Sequence, residues 1–337
     1  MTSEKLKLGI LLPTRGLLLD DERPTNIQPV LDMAKQVEEA GLDSVWVGDS
    51  LTAKPRLEPL STLSAIAAQT NTVRLGTAVM LMGLRHPLLL AQTMATVDLV
   101  SQGRLIIATG IGGAFNDAQK KEWESVSVDV SRRAGRLEEM IRVIKSLNKG
   151  ESVTYHGRHF DIDDTVMLPV SGRDSGVPIL LACHGRSKVR QTQIQRAASL
   201  ADGIISISDT PDEYAEVVKD FHNAVSNGGR DLSEVQTTMY MTINMDENVD
   251  KAKSDSEEWL LGYYGANIWG SRWGPFGDSQ RVLDRILQYR DAGAETVIVR
   301  FASFDQDGQL NDFLSKIAPA LISHQNTLIG EITICIR

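Results

Sequence analysis

The chain is poor in several things, and each shortage removes a class of function. Two cysteines in 337 residues, Cys183 and Cys335, give neither a metal-type spacing nor a disulfide framework. Apolar stretches such as LLLAQTMATVDLV are interrupted well short of the roughly 18 apolar residues that a membrane span requires. The start, MTSEKLKLGI, is too polar for a signal peptide, so a cytoplasmic location is expected. No basic run occurs, and 44 acidic against 35 basic residues leave a net charge of -9, which argues against nucleic acid or an anionic membrane as partner. A small-molecule substrate is the expected partner. Aromatic residues amount to only 5%, yet Trp259, Tyr263, Tyr264, Trp269, Trp273 and Phe276 crowd into one short region.

What is present is alternation. Short β-rich runs at 6–12, 44–48, 73–81, 105–110, 177–182, 203–207, 236–243 and 295–301 are separated by helical periodicity, the pattern of βα units around a parallel sheet. Ile27, Val30, Leu31, Ala34 and Val37 form one apolar helix stripe, and Leu310, Phe313, Leu314, Ile317 and Leu321 another. Thr210, Pro211 and Glu213 spell a helix start, whereas Gly41 and Gly293 stand where a left-handed stop is needed. The fold class expected is therefore α/β, a (β/α)8 TIM barrel with insertions, over residues 1–322, with a tail at 323–337 of undetermined structure. Three segments exceed ordinary loop length, at 112–131, 150–176 and 262–279, and are expected to cluster at the mouth. The second of them alternates around a central His-Gly and reads as a hairpin.

From Val73 the sequence VRLGTAVMLMGLRHPLLLAQTMATVDLVSQGRLIIATGIGG closely resembles the bacterial luciferase-like family of flavin and deazaflavin oxidoreductases. The likeness extends through AGLDSVWVGDSL, RAGRLEEMIRVIKSL, PILLACHGRSKVRQ, LADGII and AGAETVIVRF. It implies FMN or the 5-deazaflavin coenzyme F-420 as cofactor, held at the C-terminal strand ends, and a homodimer formed through the helices that follow the second and third strands, with which the apolar Leu88–Val100 region is consistent. It also implies a non-proline cis peptide between Ala78 and Val79, bulging against the ring.

By the same resemblance Gly110 and Gly112 would admit the ring, while tight-turn glycines are the plain alternative. Gly185, Arg186 and Ser187 would bind the cofactor phosphate, against a helix merely capped by Ser187. Asp49, Ser50 and His86 are the candidate catalytic residues. Ser50 stands where relatives carry a histidine, and Gly110 where luciferase carries its reactive cysteine, so light emission is not expected. Asp49 could act as acid or base or simply cap the next element, and His86 could face the ring or fix the turn before Pro87. Arg300, inside VIVRF, points into the mouth or to a buried carboxylate, and with Trp269 and Trp273 makes up the expected substrate pocket.

Two mechanisms follow from the resemblance: oxygen insertion with reduced FMN supplied by a separate reductase, or direct hydride transfer with the deazaflavin. A catalytically silent flavin-binding barrel or scaffold subunit is the rival. A metal-dependent hydrolase has no His/Asp cluster to support it.

Overall fold

The computed structural model describes residues 6–20, 23–266, 268 and 270–321. Trp269 and the 323–337 tail lie outside the described residues. Eight parallel strands form the barrel: β1 Lys7–Leu11, β2 Ser44–Val47, β3 Arg74–Met80, β4 Leu105–Thr109, β5 Ile179–Ala182, β6 Gly203–Ile207, β7 Gln236–Met245 and β8 Thr296–Phe301. Each pairs with the next, and β8 returns to β1 through Lys7↔Thr296, which closes the sheet and removes its edges. All eight coincide with the runs read from sequence.

The period-2 alternation of a strand divides the apolar residues into two layers. Leu11, Trp46, Ala78, Ile106, Ala108, Leu180, Ile205, Tyr240 and Ile298 fill the interior of the barrel. The alternate positions, such as Ile10, Val45, Leu75, Ile107, Val297 and Val299, pack outward against the helices. Trp46 is the bulkiest interior residue, and two glycines make room for it: a Cβ on Gly76 would lie 2.1 Å from its indole and one on Gly9 2.5 Å. Because Ile298 points inward, so does Arg300 two residues on, at the C-terminal rim.

The helix signals hold. Thr210 and Glu213 form a capping box at the start of the helix Pro211–Asn227, and Gly41 and Gly293 adopt φ of 72° and 97°. The final stripe is carried by a helix with a π turn at Phe313–Ile317, which still buries Leu310, Phe313 and Ile317.

The insertions do not all gather at the mouth. The segment 150–176 enters on a helix-to-strand connection, so its hairpin, Val153–His156 with Asp161–Thr165, lies along the outside of the helix Arg133–Leu147. There the amides of Arg158 and His159 donate to Glu139, and Phe160 stands edge-on to His86. The first insertion follows β4 on the mouth side, and the third is delivered to the mouth by the helix Val249–Tyr264.

Candidate active site

At the C-terminal rim the strands enclose a cavity of about 170 Å³. Its floor is apolar and formed of small or flat surfaces: Ala78, Val79, Ala182, Ile205 and Ile207. The Ala78–Val79 peptide is cis, and the β3–β4 register slips between Thr77 and Met80, so the backbone bulges at this point. Gly110 supports the bulge from behind, where a Cβ would meet Ala182 at 3.3 Å and Val79 at 3.6 Å. Apart from Leu81, the remaining lining is polar or aromatic: Asp49, Arg56, His184, Ser206, Tyr240, Tyr263, Tyr264 and Arg300.

Of the residues singled out in the sequence, Asp49, Ala78, Val79, Tyr263, Tyr264 and Arg300 meet at this cavity. Asp49 arrives already engaged, accepting from the Leu81 amide at 2.9 Å and from both Nη atoms of Arg85 at 2.6 and 3.2 Å. Burial opposes the Arg85 charge, but Asp49 and Glu58 outweigh it and raise the guanidinium above its ordinary value. Asp49 thus holds the loop that follows the bulge.

Three other candidates are placed in structural roles away from the lining. Ser50 is buried, donating to Glu122 Oε1 at 2.7 Å and accepting the Lys54 amide at 2.9 Å. Glu122 also takes the amides of Thr52 and Ala53, which pins the 50–54 turn. His86 is exposed and caps the helix Pro87–Val100, its Nδ1 accepting from the Leu88 amide at 3.3 Å. Gly112 has φ 74°, and a Cβ there would lie 2.5 Å from Trp123, so packing as well as backbone conformation requires a glycine.

The 185–187 loop is closed on itself. Arg186 Nη1 donates to Asp209 Oδ1 at 2.6 Å, and the Gly185 amide donates to Asp209 Oδ2 at 2.8 Å. Ser206 Oγ donates to the same carboxylate, whose side chain is fully buried. The next helix begins at Arg190, later than Ser187, and Ser187 Oγ accepts from the Val189 amide. His184 lines the cavity beside this loop. Burial lowers its imidazole to about 4, against the pull of Asp209, so it is neutral at pH 7.

Across the mouth the charges are arranged differently. Arg300 is 3% exposed and lies opposite Thr242 in the β7–β8 register. Its Nε and Nη2 donate to Thr242 Oγ1 at 3.1 and 2.8 Å, and Nη1 donates to the Tyr264 hydroxyl. The rings of Tyr240, Trp259, Tyr263, Tyr264 and Trp273 stand 4.8–5.3 Å from its Cζ. Trp273 therefore belongs to the wall, stacked on Tyr264 at 5.6 Å, but is not itself part of the lining. Burial would raise the Tyr263 phenol, yet Arg56, Arg300 and Arg15 outweigh burial and place it below its usual value.

The sequence reading did not find Arg15, Lys54, Arg56 or His184. Arg15 donates to the Tyr263 carbonyl at 3.0 Å, Arg56 donates to the Tyr263 hydroxyl at 3.2 Å, and Lys54 Nζ lies 4.3 Å from the Tyr264 ring. The signal available was positional: these cations follow the ends of β1, which pairs with β8 once the barrel closes, and of β2, the next strand round.

Comparison with known proteins agrees with this architecture. The family model described as luciferase-like monooxygenase matches residues 6–295. An F420-dependent glucose-6-phosphate dehydrogenase of Kineococcus radiotolerans is 27% identical over 322 residues, covering 86% of this chain and 92% of that protein. A 5,10-methylenetetrahydromethanopterin reductase of Methanopyrus kandleri is 25% identical, covering 70% and 66%. Among solved structures, an F420-dependent secondary alcohol dehydrogenase in complex with an F420-acetone adduct aligns with TM-score 0.75 at 19% identity, covering 94% of this chain and 99% of that one. With a family match across most of its length and the same barrel beneath it, the chain belongs to the luciferase-like monooxygenase family.

Proposed function

We propose that the protein is an oxidoreductase that binds a 5-deazaflavin coenzyme at the C-terminal mouth and transfers a hydride between it and a small organic substrate. The observation that carries this reading is the cavity: an apolar floor at the Ala78–Val79 bulge facing an aromatic and cationic wall. No lining residue can itself accept or donate an electron pair as hydride. The adjacent thiol, Cys183, is fully buried and pushed up to about 12, so it supplies no nucleophile. Redox capacity therefore has to come from a bound group rather than from the chain's own side chains.

The floor fits such a group, since Ala78, Val79, Ala182 and the two isoleucines present a flat surface with no charged atom on it. When bound, the deazaflavin supplies a two-electron hydride centre that does not use oxygen. Its tail would run to the 184–188 loop, where Ser187 and Lys188 remain as donors while Arg186 is held by Asp209. Tyr263 Oη, acidified by its guanidinium neighbours, holds the proton that accompanies the hydride, and the neutral His184 orients the substrate oxygen. The curated relatives named as F420-dependent support the deazaflavin over FMN.

Fluorescence titration of the full chain with each coenzyme tests this. Submicromolar binding of the deazaflavin with weak FMN binding is expected; tight binding of FMN alone overturns it. We also propose a homodimer across the helix Pro87–Val100, which leaves Leu89, Leu99 and Val100 exposed. Sedimentation at the monomer mass would remove that part.

A further inference from the structure

We propose that the substrate of this site carries an oxyanion, a carboxylate or a phosphate monoester, which is received by a cationic subsite built from Arg300, Arg56, Arg15 and Lys54. The claim rests on the reading of the mouth as an oxidoreductase site, and it names the class of molecule admitted there.

Arg300 carries a charge with no carboxylate opposite it. A guanidinium removed from water is stable only when paired or otherwise compensated, since the desolvation penalty amounts to several kcal/mol per ion. Among the half-buried guanidiniums, Arg85, Arg173 and Arg186 are compensated by the carboxylates of Asp49, Asp98 and Asp209, whereas Arg104 and Arg136 donate to backbone carbonyls. Arg300 is more buried than any of these, and its hydrogen-bond acceptors, Thr242 and Tyr264, are neutral oxygens.

Among the described residues none of Arg300, Arg56, Arg15 and Lys54 forms a salt bridge with a carboxylate. Arg56 donates to the Lys54 carbonyl and the Tyr263 hydroxyl, and Arg15 to the carbonyls of Tyr263 and Pro55. Tyr263 is the one acidic phenol among them, and even ionised it would supply one negative charge against four positive ones. The imbalance occurs in a protein whose net charge is -9.

Position assigns the missing anion to the substrate rather than to the coenzyme. Arg300 lies at the end of β8 and the other cations follow β1 and β2, whereas the loop proposed for the coenzyme tail follows β5, on the opposite side of the barrel. The bulge on β3 and the cavity floor lie between them. Arg300 and Arg56 line the cavity directly. The aromatic box around Arg300 fixes the guanidinium plane, and a planar fork so fixed recognises carboxylate or phosphate oxygens in pairs. Exclusion of water by the five rings strengthens that interaction.

Trp259 and Trp273 stand against Arg300 and provide a native fluorescence probe. Full-length protein without coenzyme is titrated with benzoate, phenyl phosphate and the neutral benzyl alcohol. Saturable quenching by at least one anion, with a Kd about tenfold or more below that for benzyl alcohol, is expected, and Arg300→Gln and Arg56→Gln should each weaken it about tenfold. The better of the two anions identifies the oxyanion type. Should Arg300→Gln lose its near-UV circular dichroism, the half-buried Arg56 variant decides.

The coenzyme is titrated in parallel. If benzyl alcohol binds as tightly as the anions, the subsite does not exist. If Arg56→Gln weakens the deazaflavin as much as the anion, the cations serve the coenzyme and the assignment to substrate is wrong. Failure of coenzyme binding with anion binding intact removes the proposed function but leaves the subsite.

Discussion

The two sides of the mouth are built from the same residue types and solve opposite problems. On the β5–β6 side a buried aspartate gathers a guanidinium, an amide and a hydroxyl, so Asp209 leaves Arg186, Gly185 and Ser206 jointly satisfied. On the β8–β1–β2 side four cations meet aromatic faces and neutral oxygens. One arrangement is complete without a ligand and fixes a loop. The other is electrostatically incomplete and is suited to receive an anion. An arginine's residue type therefore says less about its role than what stands opposite its charge.

Stability measurements should separate the two sides most strongly. Asp209→Ala would strand a buried guanidinium, an amide and a hydroxyl, and is expected to lower the unfolding free energy by about 3–5 kcal/mol. Arg300→Met removes a buried charge that has no carboxylate partner and retains apolar volume among the rings, so its stability should stay within about 1 kcal/mol of the parent. Urea denaturation of the pair is the check. Equal losses would mean that Arg300 is structural and that the contrast between the sides is false.

A smaller effect is expected at the turn joining the cationic side to the rest of the barrel. Ser50→Ala deletes one of three donors to Glu122 and should cost about 1 kcal/mol. Once a substrate is in hand, kcat should be unchanged, because Ser50 does not line the cavity. A kcat loss with stability preserved would restore Ser50 to the chemistry and weaken the view of this turn as a mere holder of Lys54.

The fold was legible because its signals are local. Strand runs, the Thr210 capping box and the glycine stops at 41 and 293 each occupy a few consecutive residues. Parts of the site were legible for the same reason: the bulge at Ala78–Val79 lies in one strand, and the inward direction of Arg300 follows from alternation along another. What could not be read is chemistry made by closure. Arg56 and Arg15 meet Tyr263 across sequence separations of 207 and 248 residues, and Asp209 reaches Arg186 across 23. Whether a strand-end arginine is paired depends on those distant neighbours, and no spacing rule carries that information. The aromatics were noticed as a cluster, but not that Tyr263 and Tyr264 would share one cation.

The finest test of the contrast is its pH dependence, because the incomplete side contains a group that titrates in an accessible range. Lys54 is lowered to about 8, first by burial and then by Arg56, Arg15 and Arg300, with Glu122 opposing. Burial and three like charges both favour the neutral amine, and a bound anion would favour the ammonium. Below pH 8 the ammonium is present and contributes to anion binding; as pH rises through 8 it loses its proton and that contribution disappears. Benzoate affinity should therefore fall about two- to fivefold between pH 7 and 9, the size expected for one partly exposed cation. Lys54→Met should flatten the profile by removing the titrating group. Tyr263 faces the same cations and would act in the same direction if it ionised in this window, so Tyr263→Phe is the control. A profile flat in the parent would show that Lys54 does not reach the anion and would reduce the subsite to its three arginines. Affinity that instead rose with pH would mean that the cations are not the receptor, and the two sides of the mouth would no longer differ in the way their charges indicate.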